Sequence, residues 1–203
     1  MMSDLEENAI TPLHDPFALF ALWMADAEKS EINDPNGMAL ATATPDGLPS
    51  VRMVLLKGFD DNGFVFYSHQ TSRKGQELLA NPHAALLFHW KSLRRQVRIE
   101  GPVSVVSDAE ADEYFASRPR LSRLGAWASA QSQVLENRAA FLAKIAGVTA
   151  RFLGREVPRP ENWSGWRLAP RSMEFWQDMP FRLHDRVRYQ RAAEGWHHDR
   201  LYP

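Results

Sequence analysis

The chain has 203 residues, 44% of them hydrophobic and 24% charged, the balance of one ordinary globular domain and far from that of a disordered chain. Lys plus Arg number 24 against 25 Asp plus Glu, and the resulting net charge of −1 argues against a general nucleic-acid binder. Cysteine is absent, which excludes disulfides, thiolate metal sites and cysteine nucleophiles. Residues 1–14 are polar and without periodicity, so a flexible N-terminal arm is expected ahead of a single domain over 15–203. Met1–Leu13 is acidic and lacks the apolar stretch of a secretory signal. No apolar run approaches the ~20 residues of a membrane span, so a cytoplasmic protein without a membrane partner is expected.

Asp15-Pro16 has the chemistry of a helix start, an N-cap followed by proline at the first helical position. Phe17, Leu19, Phe20, Leu22, Trp23 and Ala27 give this helix a broad apolar face, and Asn33–Gly37 ends it. Strands are predicted over Met38–Thr44 and Pro49–Lys57 around the turn Pro45-Asp46-Gly47, then over Phe64–Ser68, Ala84–Trp90 and Gln96–Val106. A short helix fits Ser72–Leu79, and Ser107 with Glu110 forms a capping-box pattern for a helix over Ala109–Ser117. A longer helix is predicted over Val134–Leu153. Strands return at Trp166–Leu168, Met173–Gln177 and Arg182–Arg191, with a hairpin turn near Ala193-Glu194-Gly195. Strands in sequence with helices inserted late, and no βαβ rhythm, favour a barrel-like α+β domain.

Four stretches carry chemistry. Arg52–Lys57 is a strand opened and closed by cations, with apolar residues on both faces, which predicts a buried strand where neither cation is cheap to place. Snorkelling of both to solvent fits the same pattern. Ser72-Arg73-Lys74-Gly75 puts two cations at a helix N-terminus, where the dipole disfavours them unless an anion such as phosphate sits among the free amides; a solvated surface pair is the alternative. Tyr114, Arg118 and Ser122 recur at spacings of four, and Pro119 stops the helix near Arg118, so that Ser122 can open a new turn. Phenol, guanidinium and hydroxyl together make a phosphate cradle, or an ordinary helix–loop–helix joint. Arg182, His184 and Arg186 alternate along a predicted strand, which places three cationic or protonatable groups on one face. Trp176 lies just upstream. Such a row suits a flat anionic ligand, or protects an exposed sheet edge by charge.

His197-His198 lacks partners at ligand spacing, so no metal site is expected. The tryptophans at 23, 90, 127, 163 and 196 read as core or interface anchors. The usual glycine-rich nucleotide loops and the zincin and hydrolase motifs are missing.

Taken together, RMVLLK (52–57), SRKGQEL (72–78), FASRPRLSRLGAWASAQSQ (115–133) and FWQ…RLHDR (175–186) resemble the pyridoxine/pyridoxamine 5′-phosphate oxidase family, in order and over nearly the whole chain. The resemblance implies an FMN-binding split β-barrel with flanking helices, forming a homodimer with FMN at the subunit interface. It implies FMN contacts from Arg52, Met53, Val54, Leu55, Leu56 and Lys57, and from Tyr67, Ser68, Arg73 and Lys74. Gln96, Gln131, Ser132, Trp176 and Arg186 complete that set. The substrate, pyridoxine 5′-phosphate or pyridoxamine 5′-phosphate, is then held by Lys57, Tyr114, Arg118 and Ser122 at its phosphate. Arg182 and His184 hold its ring and are the expected catalytic residues, with O2 as the final acceptor. The chain departs from the pattern at Ser68, where threonine is frequent, at Leu121, in the turn Asp178-Met179-Pro180-Phe181, and in its terminal DRLYP. Two competing readings are another split-barrel FMN oxidase or reductase, of the phenazine-pathway kind, and a non-catalytic flavin or pyridoxal-phosphate carrier.

Overall fold

Asp15 caps the first helix by accepting the Phe17 N–H at 3.0 Å, with Pro16 at its first position, as its sequence dictates. This helix, α1 (Pro16–Ser30), buries Phe17, Leu19, Phe20, Trp23, Met24 and Ala27, while Leu22 turns outward at 57% exposure. The computed structural model in which it sits describes residues 9–203.

Ten antiparallel strands form one curled sheet: β1 (Gly37–Ala43), β2 (Pro49–Leu55), β3 (Gly58–Asp60), β4 (Gly63–His69), β5 (His83–Trp90), β6 (Arg95–Val105), β7 (Trp163–Leu168), β8 (Ser172–Gln177), β9 (Asp185–Arg191) and β10 (Trp196–Arg200). The main path runs β10-β9-β8-β6-β5-β1-β2, while β7, β4 and β3 branch from it. The long strand β6 makes the branch. Arg95–Glu100 pair with β8 and Val103–Val105 pair with β7. Between them Gly101 passes so close to Ala169 that a Cβ would lie 2.0 Å from its carbonyl oxygen, so only glycine fits there. Helices α2 (Arg73–Ala80), α3 (Asp108–Ser117), α4 (Arg120–Ala128) and α5 (Arg138–Arg151) flank the sheet. Among the described residues no helix is long and apolar enough to cross a membrane.

Phe20 of α1 plugs the curl, with edge contacts to Phe59 and Phe64 at 4.9 Å and to Phe88 at 5.1 Å. Phe66, Trp90, Trp166, Phe175 and Tyr189 complete a fully buried aromatic core.

Several expectations need correction. The helix predicted over Val134–Leu153 starts only at Arg138, because Asn137 caps it by accepting the Ala140 N–H at 2.8 Å; Val134 and Leu135 lie outside it. Helix α4 begins directly after Pro119 and carries Ser122, so the single turn foreseen there runs for nine residues. The predicted strand Arg182–Arg191 is shorter. Pro180–Arg182 form a 3-10 turn, Phe181 and Arg182 take left-handed φ values of 57° and 62°, and β9 starts at Asp185. The same-face alternation of Arg182, His184 and Arg186 therefore does not exist. Strand β2, predicted to be buried, is the edge of the main path, and Val51 and Met53 are each 68% exposed. Part of the expected N-terminal arm lies outside the described residues. Its last residues are tied down: Ile10 N–H donates to Asp185 at 2.7 Å, Leu13 N–H donates to the Tyr189 hydroxyl at 3.0 Å, and Ile10 is buried.

Replacing Phe20 by Ala is expected to lower the unfolding free energy by about 4 kcal/mol, the usual cost of emptying a packed aromatic site. A urea titration checks this, and an unchanged midpoint would show that α1 is not the plug of the barrel.

Candidate active site

A cleft of about 530 Å³ opens beside strands β2 and β4 and is walled by the first turn of α2, the end of α3 and helix α4. Its lining brings together Arg52, Met53, Val54, Leu55 and Lys57 from β2 and just beyond, Tyr67 and Ser68 from β4, Lys74 from α2, and Gln131. Tyr114, Arg118 and Ser122 line it as well. The two stretches read as anion-seeking, at 72–75 and at 114–122, thus face one space.

The basic pair at the start of α2 is split by the helix. Ser72 caps α2, accepting the Gly75 N–H at 3.3 Å and donating to the His69 carbonyl at 2.7 Å. Lys74 then turns inward, 8% exposed, and its Nζ donates to Gln131 Oε1 at 2.9 Å and to Ser68 Oγ at 3.2 Å. Arg73 turns outward and donates to Glu77 at 2.9 Å. Burial, with the nearby Arg52 charge, lowers the Lys74 pKa against the weaker pull of Glu77. An ammonium so placed, with only neutral oxygens bonded to it, keeps its charge uncompensated by any directly bonded carboxylate.

Glu77 locks this arrangement. It is 5% exposed and accepts from Thr42 of β1, Ser50 and Arg52 of β2 and Arg73 of α2. Burial alone would raise its carboxyl pKa, but the hydrogen bonds from Ser50, Thr42 and Arg73 and the Arg52 charge outweigh that and bring it down to about 2. Arg52 is committed here, donating also to the Leu40 carbonyl at 3.1 Å and to Thr42 at 2.6 Å.

The far wall is aromatic. Tyr67 stacks on Tyr114 at 3.9 Å and on Trp163 at 5.3 Å, and the Arg118 guanidinium lies 4.9 Å from the Trp163 ring centre. Burial, reinforced by Glu110 and Tyr114, pushes the Tyr67 phenol up to about 12, so it remains a donor. Burial lowers the Arg118 pKa, and its buried NH1 has no hydrogen-bond partner.

Not every expected residue reaches this cleft. Leu56 is buried behind it, Arg73 pairs outside it, and Ser132 is exposed in the loop before α5. Gln96, Trp176 and Arg186 line a second hollow of about 300 Å³ with Leu87, Arg98, Glu174 and Pro203. The His184 ring lies 4.7 Å from that of Trp176, tilted by 38°, and Arg182 is exposed on the adjoining turn. Four strand-to-strand steps separate β2 from β8, about 19 Å along the sheet. One chain therefore distributes the expected residues over two separate hollows. Sequence reasoning missed His69, which lines the first cleft and is kept toward its neutral form by burial. Alternation along β4 puts it on the face of Tyr67, a signal that was present. It also placed Trp163 in the core, where it forms the cleft wall as well.

The chain is similar to known proteins along nearly its whole length. The family model described as pyridoxamine 5′-phosphate oxidase matches residues 24–152, and that of the pyridoxine 5′-phosphate oxidase C-terminal dimerisation region matches 163–203. A pyridoxine/pyridoxamine 5′-phosphate oxidase from Rhodopseudomonas palustris (strain BisB5) is 63% identical over 203 residues, covering 99% of this chain and 96% of the relative. One from Gluconobacter oxydans (strain 621H) is 65% identical over 189 residues, covering 93% and 94%. Among solved structures, PhzG from Burkholderia lata 383, in complex with tetrahydrophenazine-1-carboxylic acid, superposes with a TM-score of 0.89 at 37% identity, over 95% of this chain and 94% of that one. An FMN-binding protein from Nostoc punctiforme shares the fold alone, with a TM-score of 0.73 at 16% identity, over 96% and 100%.

The fold is thus that of the FMN-binding split-barrel proteins, curled antiparallel sheet and flanking helices included. Within that class the chain belongs to the pyridoxine/pyridoxamine 5′-phosphate oxidase family and is an oxidoreductase.

The Glu77 hub has a pH signature. Its folded pKa of about 2 lies below the ordinary 4.5, so its stabilisation is fully present above pH 4.5 and is lost as pH falls toward 2. Replacing Glu77 by Gln is expected to cost about 3 kcal/mol at pH 7, by leaving the largely buried Arg52 without its counter-charge, and to flatten the denaturation midpoint between those pH values. Identical midpoint–pH curves for the two proteins would contradict the hub.

Proposed function

We propose that the chain oxidises pyridoxine 5′-phosphate or pyridoxamine 5′-phosphate to pyridoxal 5′-phosphate, using FMN and passing the electrons to O2 to give H2O2. The alcohol loses two electrons and two protons, which O2 takes up as H2O2; the amine reaction also consumes water and releases ammonium. A cytoplasmic homodimer is the working form in this reading. The observation that carries it is the cleft in which buried Lys74 and half-buried Arg118, with its buried NH1, face the same space without a carboxylate in hydrogen-bond contact.

That donor set fits a phosphorylated flavin and a phosphorylated substrate side by side. Lys74, with Ser68 and Gln131 around it, would take the FMN phosphate, while Arg52, Tyr67 and the β2 backbone through Lys57 would border the rest of the molecule. Tyr114, Arg118 and Ser122, with Lys57, would hold the substrate phosphate. FMN, when bound, supplies the two-electron redox chemistry. The protein's part is to place the reacting carbon and exclude water, which the stacked wall of Tyr67, Tyr114 and Trp163 suits. The orphaned NH1 of Arg118 gains its partner when a phosphate enters.

Gln96, Trp176, Arg182, His184 and Arg186 do not line that cleft within one chain. A two-fold dimer would bring them from the partner. The exposed Val51, Met53 and Leu55 on the β2 edge supply an apolar face for it, and the matched C-terminal dimerisation region supports it. A phenazine carboxylate, the kind of ligand seen in the Burkholderia PhzG, needs no second phosphate cradle. The Tyr114–Arg118–Ser122 wall favours the phosphate ester.

The test is anaerobic addition of pyridoxine 5′-phosphate to the FMN-loaded protein. Bleaching of the flavin absorbance, reversed by air with formation of peroxide and aldehyde, is expected; a yellow protein that never bleaches would contradict the substrate. Replacing Lys74 by Met is expected to raise the Kd for FMN by roughly 10- to 100-fold, the usual cost of losing a charged hydrogen bond. Unchanged FMN affinity in a titration of flavin fluorescence would remove Lys74 from the phosphate site.

A further inference from the structure

The turn between β8 and β9 holds a contact that strand alternation does not foresee. Asp178 follows the end of β8, and its N–H donates to the Arg94 carbonyl at 3.0 Å. Its carboxylate forms an ion pair with Arg94 through one oxygen and lies 3.0 Å from His184 Nδ1 through the other. His184 and Asp178 are largely buried, and the imidazole rests on Trp176. The left-handed residues Phe181 and Arg182 fold the chain back so that positions 178 and 184 meet.

Two groups compete for His184 Nδ1. The Met179 N–H points at it from 3.3 Å and needs an acceptor, whereas the Asp178 carboxylate needs a donor. One nitrogen of a neutral ring cannot serve both. The carboxylate is closer and carries charge, and charge-assisted hydrogen bonds are roughly twice as strong as neutral ones. The charged groups facing the ring are Asp178, Arg94 and Arg182. Burial first, then Arg182 and Arg94, lowers the His184 pKa, so the ring is neutral near pH 7 and its tautomer is the variable that matters.

We propose that Asp178 is a positioning residue: braced by Arg94, it holds the proton of His184 on Nδ1 and thereby offers Nε2 as an acceptor for a donor on the substrate, its ring hydroxyl or its reacting alcohol or amine. This rests on the reading above in which His184 faces the substrate. The neighbouring Arg182 carries no acceptor, so a donor-bearing substrate group finds its acceptor in Nε2.

Nitrogen NMR of the FMN-loaded protein labelled with 15N-histidine tests this, with His184 assigned by its loss in His184→Gln. The expected wild-type pattern at pH 7 is a protonated Nδ1 and an unprotonated Nε2. Asp178→Asn should invert it, because without the carboxylate Nδ1 is left to accept from Met179 N–H, while Asp178→Glu should preserve it. With the inversion, kcat/KM for pyridoxine 5′-phosphate should fall about 10- to 100-fold, the range for losing a group that fixes a histidine tautomer, and Asp178→Glu should restore part of it. A wild-type ring protonated on Nε2, or an unchanged pattern in Asp178→Asn, would overturn the proposal. Inversion with unchanged kcat/KM would instead leave the tautomer assignment standing and remove His184 from the substrate, so the two failures are distinguishable.

Discussion

Everything in the cleft depends on one buried carboxylate. Glu77 gathers hydrogen bonds from the paired strands β1 and β2 and from its own helix α2, and so ties α2 to that ladder. Its charge is what allows Arg52 to stay in the sheet edge, and its place on α2 fixes the rotation of that helix. That rotation sends Lys74 inward and Arg73 outward. A buried cation such as Lys74 is costly without compensation, and Glu77 is the nearest negative charge that tempers it, without a hydrogen bond to it. The site therefore keeps an ammonium whose remaining demand is for an anion from outside the protein.

Much of the fold was legible because local rules and tertiary packing agree. The Asp15-Pro16 start, the Ser72 and Ser107 caps and the strand alternation each describe a choice made within a few residues. The capping box at Ser107 is only half realised, since the Glu110 carboxylate goes to Arg167 on β7 at 2.9 Å. Sequence spacing cannot show such a long-range rival. The errors share that cause. Strand β2 has apolar residues on both faces, which reads as burial, yet within one chain its outer face is covered by nothing. The row Arg182–His184–Arg186 failed because Pro180 and two left-handed residues turn the chain before β9 starts. His69 was missed although its neighbours Tyr67 and Ser68 were chosen.

Most residues singled out from the sequence line one of two hollows, but their grouping was not legible. Motif order says nothing about which residues share a space, and the curl of the sheet separates Arg118 from Arg186 while bringing Arg118 to Lys74. In the proposed dimer, the cleft with Lys74 and Arg118 and the hollow with a tryptophan and arginines would meet under two-fold symmetry. The uncovered β2 face and the second hollow would then be parts of one interface.

Mixing two inactive variants tests this shared site most directly. Arg118→Ala disables the cleft and Arg186→Ala disables the second hollow. In a shared site a heterodimer of the two has one doubly damaged site and one intact. Unfolding and refolding them together should restore about a quarter of wild-type activity, since half of the random dimers carry one good site of two. Mixtures that stay as inactive as either variant alone, with heterodimers present by mass spectrometry, would contradict a site built from both chains.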